Sequence, residues 1–319
     1  MKEILCVKNL NVSLPGTDGM ITVVRDVSFS LSEGEILCCV GESGCGKTST
    51  ALALTGLLPE GSRVSFERLI FNGQPARDAK DLAGWRGRGI ANIFQEASAY
   101  LDPLFCVEAE VRETLIQTRG MDKKAADEET ALLLDSVGLK PGRTFGKFFP
   151  HQLSGGMNQR AMIALALACG PRVLVADEPT TGLDRNLCRA IAAMVRGLAR
   201  ENGWAVFWIT HDIGLAEEIA DRVAVMYAGR IVEEGGAQEI FNDPRHPYTQ
   251  ALLACRPGRE KADRLPNIPG NVPNFRALPS GCSFHPRCSR RFDKCDKSVP
   301  ESFCRPNGHK TRCFLQQSA

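Results

Sequence analysis

The chain has 319 residues, of which 43% are hydrophobic and 24% are charged. Its 39 lysines and arginines nearly balance its 37 aspartates and glutamates, so the net charge of +2 gives no electrostatic reason to expect a nucleic-acid partner. No stretch approaches the roughly 18 uninterrupted apolar residues of a membrane span, and residues 1–5 lack a signal-peptide pattern. We therefore expect a cytoplasmic protein with one large domain and an appended segment.

The N-terminal part of the chain predicts β structure. Residues 4–29 alternate apolar and polar side chains on either side of a turn sequence at 15–19, which predicts a pair of strands. Residues 35–40 form a short apolar run typical of a buried strand.

A complete G-x-x-x-x-G-K-[ST] sequence follows that strand, and residues 48–58 predict a helix after it. The glycines permit a tight turn whose N–H groups point at phosphates, Lys47 adds a cation, and Thr48 offers a hydroxyl to Mg²⁺. The N-terminus of the helix also favours negative charge. The predicted nucleotide contacts are Gly41, Glu42, Ser43, Gly44, Cys45, Gly46, Lys47, Thr48 and Ser49.

Cys45 lies inside this loop, where a small side chain is the ordinary requirement. A redox role for it would require a lowered thiol pKa.

The next part of the chain predicts helices and then a parallel sheet. Between residues 102 and 139, apolar residues recur at helical spacing, which predicts a helical insert. The apolar positions used for this prediction are Val111, Leu115, Leu132, Leu133 and Val137. Apolar runs at 173–176 and 205–209 predict buried strands, and residues 185–201 predict the helix between them, so the fold class is α/β.

Two carboxylates end the strand at 173–176. Asp177 is suited to hold the Mg²⁺ water shell, and Glu178 is suited to polarise a water that attacks a γ-phosphate.

A second glycine-containing motif precedes an apolar helix. Ser154, with the N–H groups of Gly155 and Gly156, is placed at a helix N-terminus, where it either binds an anion or simply caps the helix.

Over about residues 1–250, the order of these motifs resembles the ATP-binding cassette (ABC) ATPases, a P-loop NTPase fold with a β-rich edge and a helical subdomain at about 96–170. Residues 93–95 resemble the glutamine loop, which makes Gln95 a catalytic residue and a Mg²⁺ ligand. Residues 153–157 resemble the signature motif, 181–184 the D-loop ending at Asp184, and 210–212 the switch motif with His211 at the γ-phosphate.

This resemblance implies a second ATPase subunit, identical or related. In the family, two such domains pair head to tail, so Ser154, Gly155, Gly156 and Met157 would act on the ATP held by the partner. The signature here has Met157 where many members have glutamine. The family usually stacks adenine on an aromatic residue, but residues 14–24 contain none, so the base contact stays unassigned, with Met20 or Ile21 as apolar candidates.

The C-terminal part, 251–319, is predicted to be a proline-interrupted linker followed by a cysteine-rich module without regular structure. Residues 245–253 and the pairs Gly281-Cys282 and Arg287-Cys288 resemble the dipeptide, oligopeptide and nickel importer subfamily. Zn²⁺ is the usual ion for four thiolates in a small loop-rich module, but its common C-x(2–4)-C pairs are missing here. The wide spacings in Cys282-x5-Cys288-x6-Cys295-x8-Cys304-x8-Cys313 let loops surround a larger [4Fe–4S] cluster, and unmetallated thiols remain open. The resemblance favours iron–sulfur on Cys282, Cys288, Cys295 and Cys313. Cys304 could replace Cys313, and His285 and His309 are weaker alternatives.

The resemblance implies an ATPase that drives a peptide importer from the cytoplasmic face of the membrane. Its further partners would be two permease subunits and, indirectly, an extracytoplasmic solute-binding protein. The permease would contact residues 95–107, where Tyr100, Leu101, Leu104 and Phe105 form either an apolar surface or part of the core. A nickel or other small-solute importer is the alternative. A soluble ABC ATPase usually has paired cassettes or long coiled-coil inserts, which this chain lacks, and a module that only binds ATP does not need Glu178 and His211.

Overall fold

The computed structural model describes residues 2–256 and 267–317. The strands are β1 (Glu3–Gly16), β2 (Gly19–Ser32), β3 (Ile36–Val40), β4 (Arg63–Ser65), β5 (Arg68–Phe71), β6 (Gln74–Pro75), β7 (Ile90–Ile93), β8 (Val173–Asp177), β9 (Ala205–Thr210), β10 (Arg222–Tyr227), β11 (Arg230–Gly236), β12 (Phe303–Cys304) and β13 (Lys310–Thr311). The helices are α1 (Lys47–Leu54), α2 (Ala79–Trp85), α3 (Val107–Arg119), α4 (Lys123–Ser136), α5 (Gly142–Phe145), α6 (Gly155–Ala168), α7 (Arg185–Asn202), α8 (Ile213–Ile219), α9 (Ala237–Asn242), α10 (Pro247–Ala254) and α11 (Asp293–Lys297).

The larger sheet has the strand order β12-β13-β11-β10-β3-β9-β8-β7 in the described part of the chain. The strands β10, β3, β9, β8 and β7 are parallel to one another, whereas β11 is antiparallel to β10. On β3, alternate residues face two different apolar cores: Ile36, Cys38 and Val40 face one, while Leu37 and Cys39 face the other. Because both faces are covered, the strand is a continuous apolar run, as the sequence predicts.

The predicted N-terminal strand pair is confirmed. Strands β1 and β2 are antiparallel, and Gly16 pairs with Gly19 at the turn. Strands β4 and β5 add to β1, and β6 adds to β5, which gives a second, antiparallel sheet. This sheet covers one face of the larger sheet and forms the second core with α1.

Helix α1 is shorter than the predicted helix at 48–58. It ends at Leu54, and Gly56 takes a left-handed conformation with φ +63°. The N–H of Leu57 then donates to the carbonyl of Leu52 at 2.9 Å, which satisfies a carbonyl at the helix end.

The helical insert is confirmed, although not every apolar position that predicts it is buried. Val111, Leu115 and Val137 are buried, but Leu132 is 63% exposed. The buried face of α4 is instead formed by Ala126, Thr130 and Leu134, which recur every four residues. Leu132 lies on the opposite side of that helix.

The prediction that regular structure ends after Arg256 is wrong. Strand β13 pairs with β11, with Thr311 opposite Glu233, so the C-terminal segment extends the larger sheet. His309 contacts the buried Glu233 at 2.7 Å, and Arg312 pairs with Asp26 at 2.7 Å. Two prolines of the predicted linker, Pro257 and Pro266, lie outside the described residues.

Among the helices described, none combines the length and apolar character that a membrane crossing requires.

Helix α10 begins with a buried histidine cap. The Nδ1 of His246 accepts a hydrogen bond from the N–H of Tyr248 at 3.0 Å, and burial lowers the pKa of His246 to about 4. In the unfolded chain this pKa is about 6.5. As the pH falls below 6.5, His246 is protonated in the unfolded chain but stays neutral in the folded chain. The free energy of unfolding therefore decreases towards low pH.

We expect this histidine to remove about 2 kcal/mol of the free energy of unfolding between pH 7 and pH 5. His246→Asn keeps a cap acceptor and removes the titration. Urea unfolding of both proteins at pH 7, 6 and 5 should show a smaller loss in the variant. An equal loss in both would contradict the assignment.

Candidate nucleotide site

The loop between β3 and α1 has little room for side chains. Gly41 and Gly46 have φ angles of 156° and 109°. A β-carbon on Gly41 would collide with the carbonyl oxygen of Met226, and one on Gly46 would lie 2.6 Å from the carbonyl oxygen of Val23. Glycine is therefore required at both positions, by backbone conformation and by close approach.

Lys47 is buried and lies across the loop. Its Nζ donates to the carbonyl oxygens of Gly41 at 2.9 Å and Glu42 at 3.1 Å. The ammonium is therefore held on the loop itself, while Ser43 and Gly44 remain exposed and Ser49 is half-buried.

Cys45 is fully buried, and burial raises its pKa. The lowered thiol pKa that a redox role requires is therefore not found, and the small-filler interpretation fits.

Two side-chain oxygens meet beside the loop. The Oγ1 of Thr48 donates to the Oδ1 of Asp177 at 3.2 Å, which joins the first turn of α1 to the end of β8. Burial raises the pKa of Asp177. A partly desolvated carboxylate beside a hydroxyl is a donor set that suits a hard cation such as Mg²⁺.

Glu178 and His211 are in direct contact. The Nδ1 of His211 lies 3.0 Å from the Oε2 of Glu178, and the Oγ1 of Thr181 donates to the same oxygen at 2.9 Å. Glu178 itself has a left-handed backbone with φ +45°. The sequence predicts Glu178 and His211 for one site, but nothing in the sequence indicates that Thr181 orients the carboxylate.

The signature residues lie at the start of α6. Ser154 caps this helix and accepts a hydrogen bond from the N–H of Met157 at 3.3 Å. A β-carbon on Gly156 would collide with Leu187 of α7, whose N–H groups at the first turn are capped by Asp184. Gly156 of the signature motif therefore packs against the helix turn that Asp184, the end of the D-loop motif, caps. In the described ranges, no hydrogen bond joins Ser154 to the phosphate loop.

Gln95 is exposed just after β7. In the segment that follows, Tyr100, Leu104 and Phe105 are 55%, 79% and 51% exposed, whereas Leu101 is buried. The four apolar residues predicted there therefore divide into three surface residues and one core residue.

An aromatic side chain that the sequence analysis missed lies near the phosphate loop. A β-carbon on Gly229 would lie 3.1 Å from Cε1 of Phe275 and 2.7 Å from the carbonyl oxygen of Val23. The next residue, Arg276, donates to Asp18 at 2.7 Å and to Thr17 at 2.9 Å. Phe275 is therefore held beside the β1–β2 turn, although no sequence signal connects the two regions.

Four of the five C-terminal cysteines, Cys282, Cys288, Cys295 and Cys313, line one small cavity. Burial raises the pKa of Cys282 and Cys288, and it raises that of Cys313 to about 11. Cys304 is exposed.

Of the two candidate histidines, His285 lines the same cavity and its Nδ1 bonds the carbonyl of Cys282, whereas His309 bonds Glu233. Within residues 2–256 and 267–317, no group of three or more histidine, cysteine, aspartate or glutamate side chains is placed to hold a single metal ion. The predicted thiols therefore share a cavity, but the predicted metal is not supported by this finding.

Comparisons with known proteins agree with these motifs. The family model for ABC transporters matches residues 24–181, and the model for the oligopeptide/dipeptide transporter C-terminal region matches residues 232–295. The dipeptide transport ATP-binding protein DppD of Bacillus subtilis is 41% identical over 99% of this chain and 96% of its own. The oligopeptide transport ATP-binding protein OppD of Salmonella typhimurium is 42% identical over 98% of this chain and 93% of its own.

A solved structure gives the same result for the fold. The ATP-binding cassette MJ0796, in a dimeric post-hydrolysis state bound to ADP and Pi, has a TM-score of 0.64 and 27% identity over 73% of this chain and 99% of its own. The chain belongs to the ABC transporter ATPase family and carries the C-terminal region of its oligopeptide/dipeptide branch.

Proposed function

We propose that this chain is the ATP-hydrolysing subunit of an importer for dipeptides or oligopeptides. The observation that carries the proposal is the contact of Glu178 with His211 at the end of strands β8 and β9, close to the Thr48–Asp177 pair. The names of its relatives support peptides as the cargo. Nickel or another small solute remains the second candidate for the cargo, because cargo selection belongs to other subunits.

In the proposed mechanism, the loop N–H groups and Lys47 bind the β- and γ-phosphates of ATP. Thr48 and Gln95 would hold Mg²⁺ and Asp177 its water shell, and the bound ion would neutralise charge on the phosphates. Glu178, oriented by Thr181, accepts a proton from the attacking water as the water oxygen bonds to the γ-phosphorus. The bond from that phosphorus to the β,γ-bridging oxygen breaks, and ADP leaves.

A second subunit completes the site. Ser154, Gly155, Gly156 and Met157 would act on the partner's ATP from the N-terminus of α6, which favours an anion. Asp184, at the start of α7 beside them, would transmit closure between the two subunits.

The contact with the permease is proposed for the exposed apolar side chains of Tyr100, Leu104 and Phe105. Two permease subunits would receive this surface at the cytoplasmic face of the membrane, and a solute-binding protein would act through them.

The proposed domain division is an ATPase domain at 1–250, with its helical subdomain at about 96–170, and a C-terminal module at 251–319.

Glu178→Gln should lower ATP turnover at least a hundredfold, because general-base catalysis contributes about 10²–10⁴-fold. Binding of Mg-ATP should be retained, and a dimer should accumulate in the presence of ATP. Phosphate release and size-exclusion chromatography measure these two results. Glu201→Gln, at an exposed glutamate, is the control. Unchanged turnover in Glu178→Gln would refute the assignment of the base.

We propose Phe275 as the apolar contact of the adenine ring, in place of Met20 or Ile21. Stacking of a base on an aromatic ring is worth about 1–3 kcal/mol. Phe275→Ala should therefore raise the KM for ATP at least about fivefold. It should leave inhibition by inorganic tripolyphosphate, which has no base, unchanged. If Met20→Ala raises the KM for ATP and Phe275→Ala does not, the adenine contact lies on β2 and the proposal is wrong. Phe292→Ala is the matched control.

We propose that Cys282, Cys288, Cys295 and Cys313 hold a [4Fe–4S] cluster. The shared cavity supports this set, whereas Cys304 is exposed and is not among the residues that line the cavity. A cubane is wider than one ion, so thiols that are not placed for a single Zn²⁺ remain compatible with it. The cluster would tie together loops that have few apolar residues to bury.

Protein purified without oxygen should contain about four iron and four sulfide per chain if the cluster is present. Cys288→Ser should lose both, whereas Cys304→Ser should retain them. Stoichiometric zinc without sulfide would contradict the cluster. A metal-free chain with the same thermal stability as the protein purified without oxygen would also contradict it.

A further inference from the structure

One arginine of the C-terminal segment reaches into the phosphate loop. The guanidinium of Arg287 forms a two-point ion pair with Glu42, with Nη1 to Oε2 at 2.7 Å and Nη2 to Oε1 at 2.9 Å. The side chain of Arg287 is only 5% exposed, and that of Glu42 is 25% exposed. A bidentate, largely desolvated pair of this kind fixes geometry as well as charge.

The guanidinium is itself fixed from its own side. The Nε of Arg287 donates to the carbonyl of Pro269 at 2.8 Å, and Nη1 donates to the hydroxyl of Tyr227 at 3.3 Å. Tyr227 in turn packs against Tyr248 and Phe284, with ring centroids 4.6 and 5.2 Å away.

Glu42 is held at three points. Besides the ion pair, its N–H donates to the hydroxyl of Tyr248 at 2.9 Å, and its carbonyl accepts from the Nζ of Lys47 at 3.1 Å. The ion pair therefore acts on a residue that directly contacts the lysine of the loop.

Charge gives this pair a second consequence. Glu42 places a negative charge in a loop whose proposed ligand is a triphosphate, and an unpaired carboxylate there would repel the ligand. Arg287 neutralises that charge and keeps the carboxylate turned towards the C-terminal segment.

We infer that Arg287 is a positioning residue of the ATP site, which neutralises Glu42 and holds the phosphate loop in its binding conformation. The C-terminal segment is thereby a functional part of the ATP site. This inference rests on the proposed ATPase function of the same loop.

The test measures KM and kcat for Mg-ATP in full-length chains. Arg287→Gln should raise KM about tenfold and leave kcat within twofold, since it touches no reacting group. Arg287→Lys keeps the charge but loses the two-point hydrogen bonding of the guanidinium, so its KM should lie between those of the unaltered chain and Arg287→Gln. In a Glu42→Gln background, Arg287→Gln should change KM less than twofold, because the group through which it acts has been neutralised.

Arg312→Gln is the matched control. Arg312 also joins the C-terminal segment to the core, through Asp26 at 2.7 Å, but it does not contact the phosphate loop. Its KM should stay within twofold of the parent. Circular dichroism of every variant checks that the chain is folded.

Three results would overturn the inference: an unchanged KM in Arg287→Gln, an equal rise in Arg312→Gln, or a tenfold rise that persists in the Glu42→Gln background. Each of these is distinct from failure of the proposed function, which would appear as absence of ATP turnover in the unaltered chain.

Discussion

The close packing of the phosphate loop against its neighbouring strands is the constraint on which the rest of the site depends. Gly41 faces the backbone of β10 through Met226, and Gly46 faces the backbone of β2 through Val23. The loop is therefore clamped between the parallel sheet and the antiparallel sheet. With its backbone fixed in this way, the loop orients Lys47 and the first turn of α1 without help from a ligand.

The strand order brings the remaining groups to that loop. Strand β9 lies between β3 and β8, and all three are parallel, so their carboxyl ends meet at one edge. Thr48 follows β3, Asp177 and Glu178 end β8, and His211 follows β9. Contacts at 3.2 Å between Thr48 and Asp177 and at 3.0 Å between Glu178 and His211 result directly from this arrangement. The signature residues lie on α6 in the helical insert and form no hydrogen bond with this edge in the described residues.

The C-terminal segment contributes to the same edge from outside the parallel sheet. Strand β13 docks on β11, and Arg287 and Phe275 then approach the loop from the side opposite to β8. A segment that looks in sequence like an appendage is thus attached to the core by backbone pairing and by charge pairs. One of the four thiols that line the small cavity belongs to Cys288, the residue that follows Arg287 in the chain.

The sequence by itself determined the β-strand pair, the apolar strands and the phosphate loop, because each of these depends on local periodicity or on fixed spacing. It also placed Asp177 and Glu178 at the end of a buried strand, because such strand ends are recognisable locally, whereas His211 was predicted from the family resemblance of residues 210–212. Only the tertiary structure decided that Leu134 rather than Leu132 faces the core, that Thr181 orients Glu178, and that the C-terminal segment joins the sheet. Arg287 and Glu42 are far apart in the chain, and no local pattern encodes a contact that depends on how two distant segments pack.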